Sequence, residues 1–288
     1  MFRTLPQKKK SYVLAPFAAA ICFTVLFIFP VLAAPGVVPL PGGLVFGPGN
    51  PDNPDGSGDP DAVAEAFLGI PYRVDGAVDE NGVYTTFADR SRVFASPGLN
   101  CSGMVLGMSR FLLDRNITLD EAVRDRLGDS GPGASGGEDW DFGWDLILNI
   151  SEGMPRRWLL PDMKTAAVEG TSGSTYRGYA IQSDATWQEL PGRFQPGKLY
   201  LFSLTDYGRL KGYGLQHYHV GLAHVSAGGE ASFYQTTGKG GRANRRDLKS
   251  AKGIESFRRS FADNGKTQKS VLILEVDLPP RQTAREKR

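Results

Sequence analysis

The stretch Pro97-Gly98-Leu99-Asn100-Cys101-Ser102-Gly103-Met104-Val105 decides how this chain reads. Pro97-Gly98 marks a turn, Asn100 is a good helix N-cap, and an apolar face follows at Met104, Val105, Met108, Phe111 and Leu112. Cys101 therefore falls on the first turn of a helix, beside unsatisfied N–H groups and the positive end of the dipole. That environment favours thiolate, the nucleophilic form. The second cysteine, Cys22, lies in an N-terminal apolar run. A single thiol left in an exported domain is a liability unless it is buried or used.

The chain has three histidines, His217, His219 and His224, more than a hundred residues downstream in and just after Gln216-His217-Tyr218-His219-Val220-Gly221-Leu222. An early cysteine and a late histidine are the order of papain-like enzymes. Four short motifs add to it: Leu68-Gly69-Ile70-Pro71-Tyr72-Arg73, the cysteine segment Asn100–Val105, Gln195-Pro196-Gly197-Lys198-Leu199-Tyr200-Leu201-Phe202 and His219-Val220-Gly221-Leu222. In this order they resemble the NlpC family of secreted, papain-like cysteine peptidases of bacterial cell walls, over most of residues 61–278.

The resemblance implies an α+β, papain-like fold with the cysteine helix packed on an antiparallel sheet. It implies Cys101 as nucleophile, His219 as general base in the family's His-Val-Gly position, and Gln235 in the third, orienting position. A glutamine there can accept a hydrogen bond but supplies no charge. Tyr72 matches a substrate-contacting tyrosine, and Asn100 and Ser102 flank the nucleophile at the substrate side. By strand parity His217 points the same way as His219 and lines the same pocket, whereas His224 has the opposite parity if the strand is regular. The implied substrate is a peptidoglycan stem peptide or a similar peptide, with the D-γ-glutamyl to diamino-acid bond as the first candidate, and no cofactor is expected. Two departures leave the bond open: Asn100 stands where the family has an aspartate that helps bind the free amine of a trimmed stem peptide, and Lys198 replaces an aspartate after Pro-Gly. A related Cys/His amidase or acyltransferase, or a wall-binding module with an idle site, are the other readings.

Arg3, Lys8, Lys9 and Lys10 precede an apolar run from Phe17 to Phe29, and Pro30-Val31-Leu32-Ala33-Ala34 follows. This is the pattern of a signal peptide, residues 1–33, with cleavage after Ala33. The rival is an uncleaved membrane anchor, although Pro16 and Pro30 confine the run to fewer than the ~20 residues of a spanning helix. Either reading puts the domain outside the cytoplasm, secreted, periplasmic or at the cell envelope, and involves a membrane only if the segment stays. Cleavage leaves 29 of the 33 Lys and Arg against 31 Asp and Glu, a balance that implies no nucleic-acid partner. Residues 34–60 read as a flexible Pro/Gly/Asp-rich linker. Their acidic spacing imitates a calcium loop, but Pro60 falls where the turn glycine belongs. The catalytic domain spans 61–279, and 280–288 form a basic tail.

Asp59 and Pro60 suit the N-cap and first position of a helix burying Val63, Ala64, Phe67 and Leu68. Strands are expected at 199–204, 218–224, 232–236 and 271–278. About residues 127–191 are an insertion carrying Trp140, Phe142, Trp144, Trp158 and Trp187. It reads either as a helical decoration packed on the core or as a wall of the substrate groove, the tryptophans favouring a groove-side role for part of 136–160. Arg242, Arg245, Arg246, Lys249 and Lys252 read as solvated surface, or as a grip on anionic polymer. His217-Tyr218-His219 is half a metal site with no carboxylate or cysteine near to complete it, so no metal is expected. Gly128-Asp129-Ser130-Gly131-Pro132 imitates a serine-protease motif, but every histidine lies on its wrong side in the chain.

Overall fold

The structure, a computed structural model, describes residues 59–280 apart from 131–138, 176–177, 208–214, 239–240 and 264–266. The readings made for the signal segment, most of the linker and the basic tail fall outside the described residues. Among those residues no helix is long and apolar enough to cross a membrane.

The first helix, α1 (Pro60–Phe67), starts where Asp59 and Pro60 put it, and it buries Val63, Ala64 and Phe67. A small hairpin follows, β1 (Gly76–Val78) with β2 (Tyr84–Thr86). The cysteine helix α2 runs Cys101–Leu112, capped by Asn100, whose side chain accepts from the Gly103 N–H at 2.7 Å. Gly103 is needed for packing, since a Cβ there would lie 2.1 Å from the Gly76 carbonyl oxygen. The same oxygen accepts from the Asn100 N–H at 2.9 Å, so β1 is fastened to the start of the helix.

Next come a short helix α3 (Leu119–Ala122) with a capping box, and α4 (Phe142–Ile150). The strands β3 (Arg156–Leu159), β4 (Thr165–Ala166) and β5 (Tyr179–Ala180) lead to α5 (Asp184–Glu189). The long strands are β6 (Lys198–Tyr207), β7 (Leu215–Val225) and, at the end of the chain, β10 (Lys269–Asp277). Between the last two lie β8 (Ala231–Gln235), β9 (Asn244–Asp247) and α6 (Ala251–Ser260). The eight-stranded sheet has the order β4-β3-β10-β6-β7-β8-β9, with β5 also pairing β10, and every pairing is antiparallel.

Helices cover both faces of this sheet, which explains the apolar runs Leu199–Phe202 of β6 and Val271–Leu274 of β10. Leu199 and Leu201 of β6 face one core, shared with α1, α2 and α4. Tyr200, Phe202 and Leu204 face the other, shared with Trp187 of α5 and Phe257 of α6. Each fully buried apolar side chain of this size stabilises the fold by roughly 1.5–3 kcal/mol relative to exposure. The fold is thus mixed α+β with an antiparallel sheet.

The inserted segment is more than a helical decoration: it supplies β3, β4 and β5 to the edge of the sheet as well as α4 to the core. Trp144 and Trp158 are essentially inaccessible and stack with ring centroids 4.7 Å apart. Trp140 is also buried, and its indole N–H donates to the Asp129 carbonyl at 3.4 Å.

Candidate active site

Cys101 sits at the first position of α2, a free and half-buried thiol. Burial alone would push its pKa up. The charge of His219 and a hydrogen bond to it outweigh burial, helped by the Val220 backbone N–H and the Ser102 hydroxyl, and bring the thiol down to about 7. Ser102 Oγ lies 3.9 Å from Cys101 Sγ. At neutral pH about half the thiol is then ionised.

His219 is buried on β7, against the ring of Phe261 at a centroid distance of 5.3 Å. Its Nε2 lies 2.8 Å from the Gln235 side-chain amide, at the end of β8. The ends of the amide are set by their partners: its nitrogen donates to His219 Nε2 while its oxygen accepts from both terminal nitrogens of Arg246, at 3.2 Å from Nη2. Cys101, His219 and Gln235 are therefore brought together as thiol, imidazole and amide.

The other expected site residues divide. Tyr72 is brought beside Cys101 by a one-residue bridge to Leu99. Burial raises its phenol pKa most, and the cysteine charge next. Asn100 keeps its side-chain oxygen on the helix cap, so that oxygen is committed to the backbone rather than to a ligand.

His217 does not join the site. The β6–β7 register pairs Leu204 with His219 and Thr205 with His217, leaving Tyr218 as an extra residue in a β-bulge. The bulge reverses the parity expected for a regular strand, so the two histidines face opposite sides. The His217 ring meets Trp144 at 5.7 Å, with Nδ1 2.8 Å from Ser203 Oγ and Nε2 3.0 Å from the Gly173 carbonyl oxygen. Burial drives its pKa down to about 4. It is a neutral, hydrogen-bonded core residue. His224 also faces away, stacked on Tyr234 at 5.5 Å and 3.7 Å from Asp61. Among the described residues no group of three or more His, Cys, Asp or Glu is placed to hold a metal.

The sequence reads Arg246, with its basic neighbours, as solvated surface or as a grip on anionic polymer. Asn244-Arg245-Arg246-Asp247 shows no apolar alternation, so nothing local signals the strand β9 that turns Arg246 toward Gln235. Comparison of the chain with family models, curated proteins and solved structures found no match.

Proposed function

We propose that this protein is a cysteine hydrolase of papain-like, NlpC-type architecture that cleaves an amide bond in cell-wall peptide. The observation that carries this reading is the thiol of Cys101 at the start of a helix, drawn down to about 7 by His219, with Gln235 behind the imidazole. A buried cysteine without such partners would be driven the other way.

In the reaction the Cys101 thiolate attacks the amide carbonyl carbon and forms a tetrahedral oxyanion. The backbone N–H of Cys101, at the helix N-terminus, is available to stabilise that charge. His219, as imidazolium, gives its proton to the leaving amine as the C–N bond breaks and a thioester remains. Water, deprotonated by the now neutral His219, attacks the thioester. The acid product leaves and the thiolate–imidazolium pair is restored. Tyr72 and Ser102 border the thiol and contact the substrate. The commitment of Asn100 to its helix cap fits a substrate amine that is held differently from the family's usual pattern. The N-terminal segment carries the domain out of the cytoplasm, where such a substrate is found.

The test is incubation of the purified domain with peptidoglycan and defined stem peptides, with products identified by mass spectrometry. Wild type releases the fragment cut at the D-γ-glutamyl to diamino-acid bond, and Cys101→Ala releases nothing while keeping the wild-type melting temperature. Full activity in Cys101→Ala, or an inert wild type across amide and ester substrates, overturns the reading in favour of another nucleophile or a binding module.

A further inference from the structure

The β8–β9 register pairs Gln235 with Asn244 and Phe233 with Arg246, so these side chains share one face of the sheet. Helix α6 and its C-cap residue Phe261 close that face, and the helix adds Ser256 and Arg259. The result is a cleft of about 570 Å³, lined by Gln235, Asn244, Arg246, Ser256, Arg259 and Phe261 among others. Its polar lining is rich in donors and holds two guanidinium groups. Arg246 Nε donates to Ser256 Oγ at 3.1 Å, and among the described residues no carboxylate pairs with Arg246. Among the described residues Arg259 has only an exposed contact to Glu255 at 3.6 Å, a pair of little strength. A half-buried arginine whose terminal nitrogens meet a neutral amide offers a forked donor set suited to an oxyanion.

We propose that this cleft binds an anionic group, a carboxylate or a phosphate, and that its occupant is coupled to Cys101 through Arg246, Gln235 and His219. The coupling rests on the Cys101–His219 reading, whereas the binding site does not. Without an anion, Arg246 holds the Gln235 amide oxygen, and the amide nitrogen donates to His219 Nε2. A neutral ring that accepts at Nε2 carries its hydrogen on Nδ1, so Nδ1 is not open to the proton of the thiol. An anion that takes the Arg246 fork frees the amide to turn. Its oxygen then accepts from His219 Nε2–H, which leaves Nδ1 open to take the proton of Cys101. By reciprocity, formation of the ion pair tightens the hold on the anion.

The experiment titrates full-length protein with inorganic phosphate and, separately, glutarate, at pH 6 and constant ionic strength. Binding is read from the ¹⁵N–¹H signals of Arg246 Nε and the Gln235 amide, and coupling from the rate of Cys101 alkylation by neutral iodoacetamide. The expected result is a saturable shift of both signals with at least one probe, and an alkylation rate about fivefold to tenfold higher at saturation, the scale of one net hydrogen bond. Which probe acts identifies the group as carboxylate or phosphate. Arg246→Met removes both responses. Arg246→Lys, which keeps the charge without the fork, retains weak binding and loses the rate effect. Arg259→Met weakens binding. Unshifted signals with both probes overturn the site, and shifts with an unchanged alkylation rate overturn the coupling. If His219→Ala alkylates as wild type does, the Cys101–His219 reading fails, and the cleft is then judged on the ¹⁵N signals alone.

Discussion

Replacing His219 with alanine should change the reactivity of Cys101 in opposite directions at low and high pH. The thiol stands at about 7 in the native protein, where burial raises it and His219 is the chief influence pulling it down. At pH 6 about 9% of it is thiolate. Without His219 burial is the largest influence left, and the thiol returns to its ordinary value of ~8.5 or above, so the thiolate fraction at pH 6 falls to about 0.3%. The fraction drops about 30-fold, but a thiolate of higher pKa is intrinsically more nucleophilic. With a Brønsted coefficient of ~0.4–0.5 over about 1.5 units, that returns a factor of about 5. Wild type should therefore react about sixfold faster at pH 6, the curves should cross near pH ~8, and the variant should be about fivefold faster above pH ~9.5. The assay is the second-order rate of exchange with a neutral aromatic disulfide between pH 5 and 10, with Cys101 as the reporting thiol. Coincident curves, or curves that differ without crossing, refute the assignment of His219 as the partner of the thiolate.

Trp144→Ala should lower stability by ~3–5 kcal/mol, since a fully buried ring stacked on Trp158 is lost. The kcat/KM of the folded fraction should stay near wild type, and a raised KM at unchanged denaturation midpoint would mark the segment as a groove wall. His217→Ala should lower the melting temperature while leaving the Cys101 rate profile within about twofold of wild type, because the ring is spent on Ser203 and Gly173 in the core. The low pKa of His217, about 4 through burial, means that the unfolded chain binds its proton first. Its contribution to stability is present above pH ~6.5 and lost as pH falls toward 4, a slope that His217→Ala should remove from urea midpoints. Asp145 has the opposite sign. Burial raises its carboxyl to about 8, so its contribution is present below pH ~4 and lost as pH rises through 8. Asp145→Asn, which keeps an acceptor for the Arg126 N–H that now bonds Oδ2 at 3.2 Å, should flatten the decline in melting temperature between pH 5 and 8, and an unchanged decline would count against a buried neutral carboxyl.

Local chemistry made much of this molecule legible in advance. Asp59-Pro60 and Asn100 announce the starts of α1 and α2, because a cap oxygen and a preset φ act within one turn. Apolar runs announce β6 and β10, because strands covered on both faces need no polar alternation. Within the site, grouping Cys101, His219 and Gln235 rested on the resemblance of short ordered motifs to the NlpC family. What only the tertiary structure decided are matters of pairing. The extra residue at Tyr218 that turns His217 away from His219 exists only relative to β6, since a bulge is a property of two strands. The insertion became sheet edge and core because β10 offered it free backbone groups to pair with. Arg246 lies in a short polar segment with no periodic signal, and it meets Gln235 because β9 is registered against β8. Sequence fixes what a residue can do within a turn or two of chain, whereas its partners across the sheet are chosen by the register that buries the most apolar surface on both faces.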